Sequence, residues 1–410
     1  MLSATAPCTR PDSWSQRWGT RPPAILLGGG ANALSVVRSL ATAGVTVYAI
    51  NEPEAYVRYS RHCHWLEVAV QADEDLEAAW ARFLLGPESD HLQGAVLLSC
   101  SDAGIQVIAR HRDELEARFQ LDDSNLEAQG RMLDKLATYQ EAAAAGVPTP
   151  RFWLAETMDQ IVALRDDLTY PLLVKPRLSH LFEERFGKKF VVVENFDQLL
   201  RTFDTVSEAG LETLLMELIP GPDDLLCSYY TYLDEQGQPL FHFTKRIIRR
   251  FPVGMGTACY HVTDWNPEVA DLALKLCTQV GLRGLANVEF KRDPRDGQLK
   301  LIECNARFTA SNGLVARSGF DLGRFVYNRI VGLPQPPLEH YRRGLRLWDP
   351  IRDFEAFLEL RRRGELSFGA WLRSVLHRQS FPYFQWSDPW PALMRTLKPL
   401  RNRLSRRGVS

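Results

Sequence analysis

Three polar side chains of different chemistry stand at alternate positions of one short segment, LIECNAR, residues 301–307. Glu303, Asn305 and Arg307 would share one face of a β-strand, because successive side chains of a strand point to opposite faces. The intervening residues are apolar and would lie on the other face. The segment therefore predicts a strand with one apolar face and one face equipped for chemistry.

A second acidic residue is expected opposite the first. The stretch ANVEFKRDPRDGQLKLIECNAR, residues 286–307, predicts an antiparallel hairpin that turns at DPRDGQ. A turn centred near Asp296 would set Glu289 across from Glu303. Two like charges that face each other destabilise a strand pair, so this arrangement requires a cation between them.

The predicted cluster has the ligand chemistry of a hard metal ion. The carboxylates of Glu289 and Glu303 and the amide oxygen of Asn305 suit Mg²⁺, with Mn²⁺ as an alternative. Arg307 would project beside them, where its donors can hold a phosphate or an acyl phosphate. The spacing alone fits equally well a solvated strand face with cross-strand salt bridges, in which Lys291 or Arg307 is the cation.

The composition is typical of a globular protein and excludes several functional classes. The chain has 410 residues, 45% of them apolar and 24% charged, which predicts two or three domains. A formal net charge of -1 argues against a nucleic-acid partner, because such binding depends on a large basic excess. Seven cysteines without CxxC spacing, no signal peptide and no membrane-length apolar run predict a cytoplasmic protein.

The first third of the chain is typical of a doubly wound α/β domain. Residues 24–50 predict a strand, a glycine turn, a helix and a second strand, and residues 94–115 repeat the strand, turn and helix. A Rossmann-like domain is therefore expected over 22–120, after a disordered start over 1–21.

A glycine turn inside this domain suggests a competing function. GGGANA, residues 28–33, fits GxGxxA between a strand and a helix, and Glu52 follows about twenty residues later. By itself this fingerprint predicts an NAD-dependent oxidoreductase. Ser101 and Asp102 follow another strand, at the edge where open sheets bind ligands, and are candidates for substrate contact.

The middle of the chain predicts an α+β domain with mostly antiparallel strands. A helix within 133–150 is expected to stop at Gly146, and an EQGQ turn predicts a second hairpin within 225–248. Short strands are predicted at 170–176, 189–195 and 213–221, and helices from Trp348 onward.

Five motifs in order carry a resemblance to a known family. They are LDKLATYQEAAAAGVPTP, PLLVKPR, MELIPGPDD, ANVEFKRD and LIECNARF. They resemble the ATP-grasp superfamily, in particular its carboxylate–amine ligase branch, over residues 22–335. The hairpin is similar to that in the ATP-grasp domains of carbamoyl phosphate synthetase and biotin carboxylase.

The resemblance implies a fold that is α/β in its first part and α+β in the next. After the Rossmann-like domain, an ATP-grasp domain is expected over 121–340, with a small subdomain over 145–215 and a large one over 216–340. A helical C-terminal extension with a basic tail is expected over 341–410.

The resemblance also implies roles for basic residues. Lys135 lies on the helix predicted within 133–150, the linking helix between the two domains, and Lys175 lies at a strand end. Both would hold the nucleotide phosphates. Arg307 would lie beside the reacting phosphate, and Arg250 and Lys245 are candidates for contact with phosphate or the acceptor carboxylate. The alternative for each is a solvated surface charge, since lysine and arginine are seldom buried.

The strand in MELIPG would meet adenine through backbone groups, and an acid after it would accept hydrogen bonds from the ribose. An ordinary turn rich in Asp is the alternative. The implied nucleotide-binding residues are Met216, Glu217, Leu218, Ile219, Asp223 and Asp224, and the implied metal ligands are Glu289, Glu303 and Asn305.

One segment departs from the family pattern. Many members close a loop with several glycines over the phosphates through backbone N–H groups. Here Gly187 is the only glycine in residues 177–190, so the side chain of Lys188 or Lys189 is expected to bind phosphate in place of some of these backbone amides. A non-catalytic ATP-binding module is therefore an alternative function.

The implied activity joins a small-molecule carboxylate to an amine through an acyl phosphate, with release of ADP and phosphate. No protein nucleophile is needed. Ser311, Asn312 and Arg317 are candidates for contact with the acceptor, and a homodimer is expected because family members are often dimers. The basic stretch 398–408 favours a disordered tail, with weak peripheral contact to an anionic membrane as the alternative.

Overall fold

The computed structural model describes residues 12–176, 185–186 and 190–397, and the chain forms two compact units. The first unit takes residues 1–123, 308–340 and 381–410, and the second takes 124–307 and 341–380. This division differs from the expected linear one. Residues 308–340 join the first unit because their helices pack against the helix that follows the glycine turn, and the C-terminal extension is shared between the units.

The first unit contains a parallel four-stranded sheet in the order β3-β2-β1-β4. Its strands are β1 (Ala24–Leu27), β2 (Val47–Ile50), β3 (His64–Trp65) and β4 (Val96–Ser99). Its helices include α1 (Asp12–Trp18), α2 (Ala31–Thr42), α3 (Leu76–Leu85), α4 (Asp102–Arg110), α5 (Arg112–Glu116), α11 (Asn312–Ser318) and α12 (Leu322–Val331). Every residue of β1 is buried, as in a strand covered on both faces. The strand, turn, helix and strand predicted over 24–50 are confirmed.

Helix α1 lies inside the expected disordered start. Trp18 Nε1 donates to Gln93 O at 2.7 Å, and Arg17 Nη2 donates to His91 O at 2.8 Å. The expectation of disorder over 1–21 is therefore wrong for this helix, because a tryptophan and an arginine in the polar segment bind the body of the unit. Residues 1–11 lie outside the described part.

The second unit contains two sheets, with the orders β5-β8-β6-β7 and β13-β12-β9-β10-β11-β14-β15. The strands are β5 (Phe152–Leu154), β6 (Leu172–Pro176), β7 (Val191–Val193), β8 (Thr213–Glu217), β9 (Leu226–Leu233), β10 (Phe243–Phe251), β11 (Thr257–Asp264), β12 (Gly284–Arg292), β13 (Leu299–Asn305), β14 (Arg346–Trp348) and β15 (Gln379–Ser380). The helices include α6 (Leu126–Leu133), α7 (Lys135–Ala144), α8 (Met158–Ala163), α9 (Phe196–Glu208), α10 (Pro267–Val280), α13 (Pro350–Arg362) and α14 (Phe368–Val375).

Both predicted hairpins form. β9 pairs with β10, and β12 pairs with β13, in antiparallel registers that set Tyr229 opposite Thr244 and Glu289 opposite Glu303. A shift by one residue would turn the apolar side chains of each strand to the opposite face, so burial of one face selects the register. The described pairs of these sheets are antiparallel except for β14 with β15.

The linking helix ends where the sequence predicts. The side chain of Asp134 accepts hydrogen bonds from two backbone amides of the first turn, so α7 begins at Lys135. The helix ends at Ala144, and Gly146 follows with φ +66°, a left-handed conformation that glycine adopts without steric cost. The Asp134 cap at the opposite end determines the position of Lys135 at the start of the helix.

Helices α13 and α14 agree with the helical character predicted after Trp348, and a buried ion pair fixes them to the large sheet. Asp353 on α13 accepts two hydrogen bonds from Arg249 on β10, at 2.6 and 3.1 Å, and one from Trp371 Nε1 at 2.9 Å. Both charged side chains are buried. Neither these helices nor any other helix in the described residues is both long and apolar enough to traverse a bilayer.

We expect Asp353→Asn to lower the free energy of unfolding by roughly 3–5 kcal/mol, because Arg249 would keep a buried charge without its counterion. Urea unfolding followed by circular dichroism measures this change. The matched control is Glu355→Gln, which removes an exposed carboxylate from the same helix and should change the free energy little. Equal stability of the two variants would contradict the assignment.

Candidate active site

A row of side chains crosses the large sheet of the second unit. Glu303 pairs with Glu289, Glu289 with Ser228, Ser228 with Lys245, and Lys245 with Thr263. Directly paired residues of antiparallel strands share a face, so these five side chains lie side by side. The predicted pairing of Glu289 with Glu303 is confirmed.

The two carboxylates of the row are held by amides and balanced by a buried amine. Asn287 Nδ2 donates to Glu289 Oε1 at 3.0 Å, and Asn305 Nδ2 donates to Glu303 Oε1 at 3.1 Å. Burial raises the pKa of Glu289, and the charge of Glu303 raises it further. Lys245 is 3% exposed; burial lowers its pKa, while the charge of Glu289 opposes this change.

The side chains present fit a divalent cation with oxygen ligands. Asn287 Oδ1 and Ser228 Oγ are buried and have no hydrogen-bond partner among the described residues. Such atoms in a native protein usually meet water or a ligand. Two carboxylates with asparagine amides form a hard donor set that suits Mg²⁺. The part of the chain that the structure describes has no group of three or more His, Cys, Asp and Glu able to hold a metal, so this set requires an amide.

Lys175 lies at the end of β6 and is 7% exposed. The pKa of Lys175 is lowered from 10.5 to about 7, mainly by burial and also by the charge of Lys135, while the charge of Glu303 opposes the change. Lys175 Nζ donates to Tyr139 OH at 3.5 Å, and this hydroxyl donates to Ile302 O at 2.7 Å. Ile302 is the extra residue of a bulge in the hairpin, so Tyr139 links the lysine to the strand that carries Glu303.

Arg250 and Asp223 form an ion pair near the row. Arg250 Nε donates to Asp223 Oδ1 at 2.6 Å, and Gly254 N donates to the other carboxylate oxygen at 3.3 Å. Both carboxylate oxygens of Asp223 therefore have protein partners, and Asp224 is exposed. The contact of one of these acids with a ribose stays a prediction. The charge of Arg250 acts on Glu289, so the guanidinium lies close to the acids.

The strand expected to meet adenine is tied to the β12–β13 hairpin. Lys291 Nζ donates to Ile219 O at 2.9 Å and to Gly221 O at 2.8 Å, and burial lowers the pKa of Lys291 to about 8. Arg295, in the hairpin turn, donates to Glu217 Oε1 at 2.5 Å. The side chain of Glu217 is thus engaged within the protein. The other implied residues of this strand are Met216, which is buried, and Leu218, which is half-buried.

The remaining basic candidates occupy different places. Lys135 is the half-buried first residue of α7, close enough to Lys175 for its charge to lower the pKa of that amine. Arg307 follows β13, and its carbonyl oxygen accepts from Tyr230 OH at 3.1 Å.

The phosphate loop expected over 177–190 lies outside the described residues, except at 185, 186 and 190. Gly187, Lys188 and Lys189 also lie outside the described residues.

The residues predicted to contact a substrate or the acceptor belong to the first unit. Ser101 accepts from a backbone amide and caps α4, of which Asp102 is the first residue. Ser311 exchanges a hydrogen bond with Thr309, and the Asn312 amide donates to a serine of α2. Arg317 is exposed. The side-chain oxygen of Asn312 is buried and has no hydrogen-bond partner among the described residues. The contact of these residues with a substrate stays a prediction.

Close packing of the chain on itself explains the glycine turn. Gly28 and Gly29 have φ values of +69° and +90°. A Cβ at Gly29 would stand 2.6 Å from the Cβ of Cys100 and 2.9 Å from the Asn32 side chain, which excludes a larger residue. Glu52 is exposed. The glycines of the fingerprint itself are Gly28 and Gly30. A Cβ at Gly28 would stand 2.1 Å from Ser101 Oγ, so the fold itself needs this glycine, whereas a Cβ at Gly30 would meet only the Tyr383 hydroxyl at 3.5 Å.

Three residues of the site were missed by the sequence analysis. Asn287 and Ser228 lie in or beside the row of acids, and Tyr139 connects Lys175 to the hairpin bulge. Asn287 stands two residues before Glu289, so strand alternation could have identified it. Nothing local distinguishes the other two, because strand pairing and helix packing bring them to the site.

A comparison with family models matches residues 264–326 to the carbamoyl-phosphate synthase L chain, ATP binding domain. Among solved structures, biotin carboxylase from Campylobacter jejuni has a TM-score of 0.61 at 16% identity, covering 80% of this chain and 75% of that one. The fold is thus that of the ATP-grasp enzymes, a mixed α/β architecture with several sheets.

Two curated relatives indicate which class of enzyme this chain resembles. The D-aspartate ligase of Enterococcus faecium is 27% identical over 334 residues, which cover 76% of this chain and 77% of that enzyme. The D-alanine–D-alanine ligase of Pseudomonas putida is 23% identical over 303 residues, which cover 69% and 82%. The predicted resemblance to ATP-grasp carboxylate–amine ligases, enzymes that form carbon–nitrogen bonds, is confirmed.

The buried amine of Lys175 predicts a pH dependence of stability. Between pH 7 and 10.5 the folded chain binds fewer protons at this amine than the unfolded chain does, so the free energy of unfolding rises with pH. Relative to Lys175→Met, the unliganded protein should gain about 1 kcal/mol per pH unit across this window.

Urea unfolding of the protein and the variant at pH 7, 8, 9 and 10 measures the difference. Lys275→Met, which removes an exposed lysine, should follow the unsubstituted protein at every pH. A difference between the protein and Lys175→Met that does not vary with pH would refute the shifted pKa.

Proposed function

We propose that the protein joins a carboxylate to an amine at the expense of ATP, through an acyl phosphate, with release of ADP and phosphate. The observation that carries this proposal is the in-register pair of Glu289 and Glu303, bordered by the buried amines of Lys175 and Lys245. Two carboxylates face a site where a cation is needed, and two amines face a site where an anion is needed. A nucleoside triphosphate supplies the anion, and the metal ion bound to it supplies the cation.

Lys175 and Lys135 are proposed to bind the phosphates of ATP. Burial lowers the pKa of Lys175 to about 7, so much of its positive charge is lost near neutral pH in the free protein. A phosphate beside it favours the charged amine and raises the pKa again. Adenine is proposed to bind along the strand around Ile219, and Asp224 is the acid available to the ribose, since Asp223 binds Arg250.

Glu289, Glu303 and Asn305 would hold Mg²⁺. When bound, this ion neutralises charge on the phosphate oxygens and orients the terminal phosphoryl group. The protein's own contribution is to keep the carboxylates in place: the amide of Asn287 binds Glu289 and the amide of Asn305 binds Glu303. Because these contacts exist before any ligand arrives, little reorganisation is required.

The proposed reaction has two steps. A carboxylate oxygen of the first substrate attacks the γ-phosphorus as the bond to the β,γ-bridging oxygen breaks, and ADP leaves. The amine then attacks the acyl carbon, loses a proton to solvent and expels phosphate. Arg307 and Arg250 are proposed to bind the transferred phosphoryl group, and Asp223 aims the Arg250 guanidinium.

A D-amino acid is the substrate class that we propose for one of the two partners. The names of two relatives, the D-aspartate ligase and the D-alanine–D-alanine ligase, both specify D-amino acids. The first unit, with its parallel sheet and glycine turn, is proposed to be a Rossmann-like domain. The homodimer, the cytoplasmic location, the use of Mn²⁺ and the absence of a nucleic-acid partner stay predictions.

Release of ADP in the presence of paired carboxylates and amines tests the reaction. We expect turnover with a pool that includes D-aspartate and D-alanine, and a loss of about 100-fold or more in Glu303→Gln, because the metal site would lose a charged ligand. A coupled assay for ADP measures the rate.

Glu208→Gln, which changes an exposed acid on α9, is the matched control and should retain full activity. Stabilisation of the protein by ATP with no ADP from any pool would favour the non-catalytic module. A nicotinamide-linked change in absorbance that Glu303→Gln leaves intact would favour the oxidoreductase.

Hydroxylamine tests the intermediate. In place of the amine it should capture the acyl phosphate as a hydroxamate, which requires both ATP and the carboxylate substrate. We expect one hydroxamate per ADP in the unsubstituted protein and neither product in Glu303→Gln. ADP release without hydroxamate would show that ATP is hydrolysed without activation of the carboxylate.

A further inference from the structure

An apolar stripe on the first unit faces solvent. Residues 390–397 are helical, and Trp390, Leu393 and Leu397 recur at spacings of three and four, so they share one helix face. These side chains are 56%, 44% and 52% exposed, and Trp386, just before the helix, is 89% exposed. A helix that packs on a folded unit normally turns such a stripe inward, whereas here the stripe points outward.

The opposite side of this helix is packed against the unit. Pro391 is buried, and the Arg395 guanidinium lies 4.3 Å from the ring centroid of Tyr383. The helix is therefore seated by a polar and partly apolar face, and the exposed apolar face is not needed to hold it.

The segment is also clamped just before the helix. Asp388 is fully buried, and Asp388 Oδ2 accepts from Arg38 Nε at 3.0 Å and from Ser60 Oγ at 2.8 Å. Its other carboxylate oxygen accepts from Arg61 N at 3.0 Å. These hydrogen bonds fix the backbone at Asp388, between Trp386 and Trp390, so the apolar stripe is held in place on the first unit.

A run of positive charge follows the stripe in the sequence. Residues 398–410 contain no acid, in a chain whose formal net charge is -1. The basic residues of this run are Lys398, Arg401, Arg403, Arg406 and Arg407. Exposed Trp and Leu side chains followed by clustered Lys and Arg provide the two signals, apolar and electrostatic, that reversible binding to a membrane surface requires.

We propose that residues 386–397, which we term the apolar stripe segment, bind the surface of an anionic lipid bilayer. Trp386, Trp390, Leu393 and Leu397 enter the boundary between headgroups and acyl chains, and the basic residues that follow them in the sequence favour an anionic surface over a neutral one.

Sedimentation of the full-length protein with vesicles tests the proposal. Vesicles of phosphatidylglycerol and phosphatidylcholine in equal parts should bind it at 50 mM NaCl, and vesicles of phosphatidylcholine alone should not. The triple variant Trp390→Ser, Leu393→Ser and Leu397→Ser should bind about tenfold more weakly or worse, since it removes the apolar signal.

A second variant, Arg401→Gln, Arg403→Gln, Arg406→Gln and Arg407→Gln, should lose binding to a similar degree, and 500 mM NaCl should weaken the binding of the unsubstituted protein. Val162→Ser, which removes an exposed apolar side chain from α8, is the control and should bind normally. Absence of binding to anionic vesicles overturns the proposal, as does binding that the triple variant retains. A dimer that the triple variant abolishes, without vesicle binding, would identify a second copy as the partner instead.

Discussion

Repulsion between two carboxylates that face each other on neighbouring strands is the constraint on which the rest of the second unit depends. Glu289 and Glu303 are paired in register, and each raises the cost of the other's charge in a partly desolvated place. Such a pair persists only where positive charge and hydrogen-bond donors surround it. Lys245, in the same row, and the amide of Asn287 supply part of this balance. A bound cation would supply the rest.

Two neighbouring residues of β10 connect the charges around Glu289 and Glu303 to the C-terminal helices. Arg249 turns to the buried carboxylate of Asp353 on α13, while Arg250, one position further, binds Asp223 near the acids. A register irregularity between these two arginines separates their directions. The helices after Trp348 therefore have a structural role: they fix the strand that holds Lys245 and Arg250, and hence part of the electrostatic environment of the acids.

Much of this site could be predicted from local patterns. Strand alternation and a short turn are enough to set Glu289 against Glu303, because only one register keeps the apolar face buried. Capping by Asp134 and the left-handed Gly146 likewise define where the linking helix carries Lys135. The pairing of Asp223 with Arg250 could not be predicted from local patterns, because the two residues lie 27 positions apart and are brought together by strand pairing.

The sequence by itself determined the elements, the pairing within each hairpin and the types of side chain that face the site, since these follow from short-range periodicity and turn chemistry. Only the tertiary structure decided how burial changes the pKa values of those side chains and which hydrogen-bond partners they meet. The pKa of Lys175 near 7, the partnership of Lys291 with the carbonyls of Ile219 and Gly221, and the assembly of each unit from separated stretches depend on long-range packing. The physical reason is that desolvation and Coulomb interactions depend on distances in space, which residue order does not specify.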